Sequence, residues 1–265
     1  MLPVGRVWLD TAMRSTAGPG RSANQDSAAA GSDFAVVADG VGGHAGGDVA
    51  SAEVVRQVVD ALAGADVPAL DPEALRAAVA GANAALRRIT GTDPALTGMA
   101  TTFTGLFCGH GSVRVVHVGD SRAYRLHGSA SERVTRDDSL VQRLVDAGAI
   151  GEEDAARHPH RHVILRSLAG GADDAAGISL QELPGLPGDR WLVCSDGLTD
   201  VLDDDEVLTL ARDADGPDAA AGALLDAARA AGARDDVTVV VADVAGVPPA
   251  DAGPRCLGAA GARAG

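Results

Sequence analysis

Four short apolar runs, each joined to a carboxylate, constrain this chain more than any other feature. Residues 34–38 (Phe-Ala-Val-Val-Ala) lead into Asp39-Gly40, and residues 115–118 into Gly119-Asp120-Ser121. Residues 191–194 lead into Ser195-Asp196-Gly197, and Asp235-Asp236 opens the run 237–241. Runs this short and this rich in valine fit buried strands rather than helices. A carboxylate at a strand end, beside a glycine that lets backbone come close, is costly to desolvate unless something neutralises it. One such place is ordinary; four suggest convergence on hard cations such as Mg²⁺ or Mn²⁺, which take oxygen ligands.

The rest of the chain places these runs in a fold class. Strands are expected over 6–12 and 32–38, followed by helices over 48–63 and 72–89. The second helix opens on Asp71 as N-cap with Pro72 at its first position. Residues 100–108, 112–118, 122–126 and 133–135 are β-branched runs separated by glycine-containing breaks, which reads as an antiparallel meander. A helix over 139–147, strands over 178–183 and 190–195 joined by a 184–188 turn, helices over 203–211 and 217–231, and a strand over 236–244 complete the order. Long blocks of one element type favour antiparallel sheets with helices packed outside, an α+β class, over a doubly wound fold. The Pro-, Gly- and Ala-rich stretch 246–265 has no periodicity and is expected to be disordered.

Composition narrows the chemistry. The 265 residues suit one large domain, and 37 acidic against 22 basic residues give a net charge of −15, which argues against a nucleic-acid partner. The chain contains no lysine, which removes P-loop, Schiff-base and kinase-type lysines as catalytic parts. Three scattered cysteines, Cys108, Cys194 and Cys256, make neither a disulfide framework nor a zinc spacing. No run approaches the roughly 20 apolar residues of a membrane span, and the start lacks the regions of a secretory signal, so a cytoplasmic location without membrane attachment is expected.

If Asp39, Asp196 and Asp235 meet, their strands are expected side by side in one sheet, with the carboxylates at a common edge. A carboxylate bridging two cations about 3.5–4 Å apart is the usual two-metal device for hydrolysis at phosphorus. Gly40 suits such a site because its carbonyl can approach a cation unobstructed. Arg21 offers a two-pronged donor for phosphate oxygens. Taken singly, each feature has a plainer reading: Asp-Gly as a turn, Asp235-Asp236 as a solvated loop, Arg21 as a surface side chain. The alternating His158, His160 and His162 fit a mobile segment with substrate contact or pH response better than a zinc site. The acidic run 203–206 reads as helix capping.

The ordered set of motifs carries a resemblance. Arg21-Ser22-Ala23-Asn24-Gln25-Asp26, the stretch 38–47, Met99-Ala100-Thr101-Thr102 and the stretch 118–124 are followed by 135–141, His158-Pro159, 194–200 and Arg234-Asp235-Asp236-Val237-Thr238. Together they resemble the PPM family, metal-dependent protein serine/threonine phosphatases of the 2C type, in its bacterial branch. The resemblance implies an α-β-β-α sandwich of two antiparallel sheets over residues 1–245, with a small flap subdomain at about 139–177. It implies that Asp39 bridges two Mn²⁺ or Mg²⁺ ions, that Gly40 gives its backbone oxygen, and that Asp196 and Asp235 complete the first ion. Asp120 and Asp196 would hold a third ion, Asp26 would orient the attacking water, and Arg21 would hold the phosphate. A bridging hydroxide would then hydrolyse phosphoserine or phosphothreonine in proteins, opposing a bacterial Ser/Thr kinase and sharing its substrates.

The chain departs from that pattern at Val41, Gln25, Asp138 and Asp236, none of them an expected direct ligand. Val41 stands where animal members carry a histidine, which leaves the leaving-group proton to a metal-bound water or to His44. Gln25 and Asp236 are the only support for the first of two other readings. One is a phosphoprotein-binding pseudophosphatase, and the other a phosphatase dedicated to a sigma-factor regulator.

Overall fold

The computed structural model describes residues 5–41, 46–250 and 253–262. Five strands form one antiparallel sheet in the order β1 (Trp8–Thr16), β12 (Val237–Ala245), β11 (Arg190–Cys194), β8 (Arg122–His127) and β9 (Ala130–Arg133). Six form a second, in the order β10 (Ser179–Pro184), β7 (Ser112–Val118), β6 (Phe103–Cys108), β3 (Phe34–Ala38), β2 (Ser27–Ala30) and β13 (Arg255–Gly258). A two-stranded ribbon, β4 (Gly40–Val41) with β5 (Ala100–Thr101), sits at the end of β3.

Side-chain alternation explains the layering. On β12, Val240, Ala242 and Val244 meet Ala28, Ala35, Val37, Leu106 and Val115 of the other sheet, with Trp191 between. The opposite face of β12, Val237, Val239 and Val241, packs on Leu224 and Leu225 of α7 (Gly216–Ala230) and Val207 of α6 (Asp204–Asp213). Val36 and Phe107 turn instead toward α1 (Gly47–Leu62) and α2 (Pro72–Thr92), meeting Val54, Val58, Leu75 and Leu86. Strands buried on both faces read as unbroken apolar runs, which is why the sequence shows so little polar alternation there. The expected α-β-β-α sandwich is the observed fold.

The helix starts follow their caps. Asp71 accepts from the Ala74 backbone N–H at 2.7 Å, and α2 runs from Pro72 as expected. Asp203 and Glu206 form a reciprocal capping box on α6, so the acidic run at 203–206 does cap a helix. Between β9 and β10 the chain forms the short helices α3 (Leu140–Asp146) and α4 (Glu152–Ala156), and no helix among the described residues is long and apolar enough to cross a membrane.

Four expectations fail in instructive ways. The segment 100–135 is not one meander: β6 and β7 pair, but β8 crosses to the other sheet and pairs with β11. Likewise β10 and β11 are not a hairpin but lie in different sheets. Asp39 extends from the six-stranded sheet whereas Asp196 and Asp235 flank strands of the five-stranded one, so the site lies across two sheets rather than along one. Residues 246–265 are not wholly irregular: β13 pairs with β2, and α8 (Ala259–Ala262) packs on α1. Strand β2 itself was not expected, because Ser-Ala-Ala-Ala carries no β-branched signal.

Candidate active site

The sheet crossing at residues 119–121 is what brings the acids together. Gly119 has φ +112°, and a β-carbon there would sit 2.6 Å from the Thr102 side chain, so only glycine fits the turn. Ser121 Oγ and Thr102 Oγ1 are hydrogen-bonded at 2.7 Å, and Thr104 Oγ1 donates to the Ser121 carbonyl at 3.1 Å. Asp39 is fixed by Thr102 and its neighbour Thr101. Its N–H donates to Thr102 Oγ1 at 3.0 Å, and its carbonyl accepts from Thr101 Oγ1 and the Thr102 N–H. Gly40 then packs directly on the Gly47 and Gln25 backbones, leaving no room for a side chain.

The other sheet contributes Ser195, Asp196 and Asp235. Ser195 N–H donates to the Thr238 carbonyl, its Oγ accepts from the Thr238 N–H, and that Oγ donates to Asp26 Oδ2 at 2.7 Å. Asp196 opens the one-turn helix α5 (Asp196–Thr199). Asp236, 2% exposed, accepts from the Gly18 N–H at 2.8 Å and the Gln25 N–H at 2.7 Å, tying two loops to the start of β12. Arg21 ion-pairs with Asp235, reaches Asp236 at 3.5 Å and donates to Gln25 Oε1 at 3.1 Å.

The electrostatics are those of crowded carboxyl groups. Burial first, then the charges of Asp26, Asp196 and Asp120, hold the Asp39 carboxyl well above the usual range, and it shares a hydrogen bond with Asp196. Asp120 is likewise raised, by burial and then by Asp196 and Asp137. Asp26 is pushed up to about 7 by burial, against the hydrogen bonds from Ser195 and Thr238 that lower it. Asp196 rises to about 6 through burial and the neighbouring Asp200. Asp26 Oδ1 and Asp120 Oδ1 are buried without any hydrogen-bond partner. Buried, mutually repelling oxygens with open lone pairs match the donor set of hard divalent cations.

Asp26, Asp39, Gly40, Asp120, Asp196, Asp235 and Arg21 thus gather at one end of the sandwich, with Arg21 turned onto Asp235 at the rim. His44 lies outside the described residues. Sequence reasoning missed three parts. Asp236 is a backbone clamp, Ser195 and Thr238 grip Asp26, and Asp200 joins Asp196. The last was detectable, since residues four apart on a helical turn share a face. His162 Nδ1 lies 3.4 Å from Asp200 Oδ2, and one donor atom each of His162, Asp196 and Asp200 fall within 4.8 Å of one another. His158 and His160 instead face each other, with ring centroids 5.6 Å apart.

Comparison with known proteins supports the same frame. The family profile described as protein phosphatase 2C matches residues 20–214. Serine/threonine protein phosphatase PstP of Mycobacterium tuberculosis is 39% identical over 241 residues, covering 89% of this chain and 45% of that protein. The chain therefore spans about half the length of that curated relative. Serine/threonine phosphatase stp of Listeria monocytogenes is 32% identical, covering 78% of this chain and 83% of its own. The crystal structure of M. tuberculosis PstP/Ppp superposes with a TM-score of 0.82 at 39% identity, over 90% of this chain and 99% of that one. A catalytic-domain structure of PstP described as a complex with two manganese ions gives a TM-score of 0.79 at 37% identity, over 90% and 99% of the two chains. With a profile match over most of its length and relatives this similar, the chain belongs to the protein phosphatase 2C family.

Proposed function

We propose that this chain hydrolyses phosphoserine and phosphothreonine in proteins with the help of Mn²⁺ or Mg²⁺. The observation that supports this most is the cluster of buried Asp39 and Asp120 with half-buried Asp196, in which Asp196 raises the other two carboxyls and an oxygen of Asp120 is left unpartnered. Asp39, the Gly40 carbonyl, Asp196 and Asp235 would hold two core ions, and Asp120 with Asp196 a third. When bound, the ions supply Lewis acidity that activates water toward phosphorus and neutralises phosphoryl charge.

The chain's own groups then have distinct tasks. Asp26, anchored by Ser195 and buried, would accept a hydrogen bond from water and orient it, a role its unpartnered Oδ1 supports. Arg21 is the cation at the rim, and its fork suits phosphate oxygens; binding substrate means exchanging Asp235 for phosphate. Gln25 and Asp236 both have structural partners in Arg21 and the loop backbones, so neither favours a binding-only module. Phosphorylated proteins as substrates, a Ser/Thr kinase as the opposing enzyme and a cytoplasmic setting belong to the same proposal.

The test is Mn²⁺-dependent release of phosphate from an aryl phosphate and a phosphothreonine peptide, with Asp39→Asn and Asp196→Asn beside the wild type. Turnover in the wild type that both variants abolish is expected. Metal-independent turnover, or turnover undiminished in both variants, would end the proposal.

A further inference from the structure

We propose that His162 supplies a nitrogen ligand to a cation site shared with Asp196 and Asp200, joining the flap to the core and favouring Mn²⁺ over Mg²⁺. This rests on the phosphatase reading only in that Asp196 is also an expected ligand there. Three donors from two separate segments converge within 4.8 Å. As a mere ion pair, His162 and Asp200 at 3.4 Å, with side chains 47% and 27% exposed, would contribute little to stability.

A second observation bears on the same carboxylate, Asp196. Asp120 is 7% exposed, its Oδ1 has no partner, and among the charges acting on it Asp196 ranks first. A buried oxygen without a partner, on a carboxyl that feels the charge of half-buried Asp196, is satisfied by a cation in a way that a solvated histidine–aspartate pair does not satisfy it. The backbone also ties His162 to Asp120. The Val163 carbonyl accepts from Leu140 N–H at 2.8 Å, and Leu165 N–H donates to the Asp138 carbonyl at 2.7 Å. Asp138 in turn donates its N–H to the Gly119 carbonyl at 2.7 Å and accepts from the Gly119 N–H at 3.1 Å. The residue before Asp120 and the residue after His162 are therefore held by one short hydrogen-bonded path.

The ligand chemistry sets the metal. Mg²⁺ takes oxygen donors and sheds its waters reluctantly, whereas an imidazole raises affinity along the transition series, from Mn²⁺ upward. Placing that imidazole on the flap links occupancy of the site to flap position.

The experiment is electron-spin-echo envelope modulation on the full chain loaded with Mn²⁺, together with Mn²⁺ and Mg²⁺ titrations. The wild type is expected to show imidazole ¹⁴N modulation that His162→Gln removes and His158→Gln retains. One class of Mn²⁺ sites should weaken at least about tenfold in His162→Gln and Asp200→Asn, with Mg²⁺ binding unchanged in His162→Gln. Bound Mn²⁺ without ¹⁴N modulation in the wild type, or modulation that survives His162→Gln, overturns the proposal while leaving the core metal sites standing. No Mn²⁺ binding by the wild type overturns both.

Discussion

The Ser195 hydroxyl donates a 2.7 Å hydrogen bond to Asp26 Oδ2 across the gap between the two sheets, from the end of β11 to the start of β2. Both groups are buried, and Ser195 Oγ also accepts from the Thr238 N–H at 3.0 Å. Ser195→Ala removes one of the two side-chain donors to a buried carboxyl and leaves a strand N–H without its acceptor. A loss of about 1–3 kcal/mol is expected, because stranding a buried polar group exposes its full desolvation penalty. Urea denaturation measures it. A variant within experimental scatter of the wild type would show that Asp26 is held some other way.

Metal-free stability should fall as pH rises. Asp26 at about 7 and Asp196 at about 6 lie above the ordinary aspartate value of 3.8, and Asp39 and Asp120 are raised as well. The native state then binds more protons than the unfolded chain between the two sets of values. Stability from these groups is fully present below about pH 4 and is lost as pH rises through the folded values, about 6 for Asp196 and about 7 for Asp26. Thermal melts in EDTA from pH 5 to pH 8 should show a declining Tm, with a shallower decline in Asp26→Asn. Added Mn²⁺ should raise Tm more at pH 7.5 than at pH 5, since ligand carboxyls must first lose their protons. A metal-free Tm whose slope Asp26→Asn leaves unchanged would contradict the assignment.

Asp236→Asn probes the loop clamp. Asp236 accepts from two backbone N–H groups through its two oxygens, and an asparagine has only one oxygen to offer. One loop N–H is orphaned, for about 1–3 kcal/mol. Arg21 also loses a charge that holds it at the rim, so KM for a phosphopeptide should rise more than kcat falls. A variant that keeps both stability and KM would mean that the loops at Gly18 and Gln25 are fixed by other contacts.

Gly258→Val tests the C-terminal strand. Gly258 has φ +70°, and a β-carbon there would overlap the Asp26 carbonyl, which accepts from the Ala259 N–H at 2.8 Å. The left-handed backbone alone disfavours valine by about 1–2 kcal/mol. The clash adds to that and shifts Asp26, so activity should fall along with Tm. Gly222→Ala, with open space around its β-carbon inside α7, is the matched control and should leave activity unchanged while raising Tm slightly, since alanine is the better helix former.

Much of this molecule was legible in the sequence where chemistry and local preference agree. Asp71-Pro72 announces α2, and the carboxylates announce their strand ends because charge beside a buried run has few other uses. What was not legible is pairing. The Gly119-Asp120-Ser121 corner looks like any hairpin, and only the fit of Gly119 against Thr102 shows the chain leaving one sheet for the other. Strand β2 hid because alanines carry no strand preference, and β13 hid because its partner was β2. His162 was visible as one of three alternating histidines, but its carboxylate neighbours come from a separate turn at Asp196–Asp200, well along the chain.

The contacts that assemble the site span extreme distances along the polymer: 169 positions from Asp26 to Ser195, and 218 from Gly18 to Asp236. Such non-local closure makes folding slow, since loop entropy is surrendered before the contact rewards it. It also makes competence all-or-none. No early helix pair or stray hairpin among the described residues carries even a partial site, so a half-folded copy holds none of the assembled carboxylate cluster.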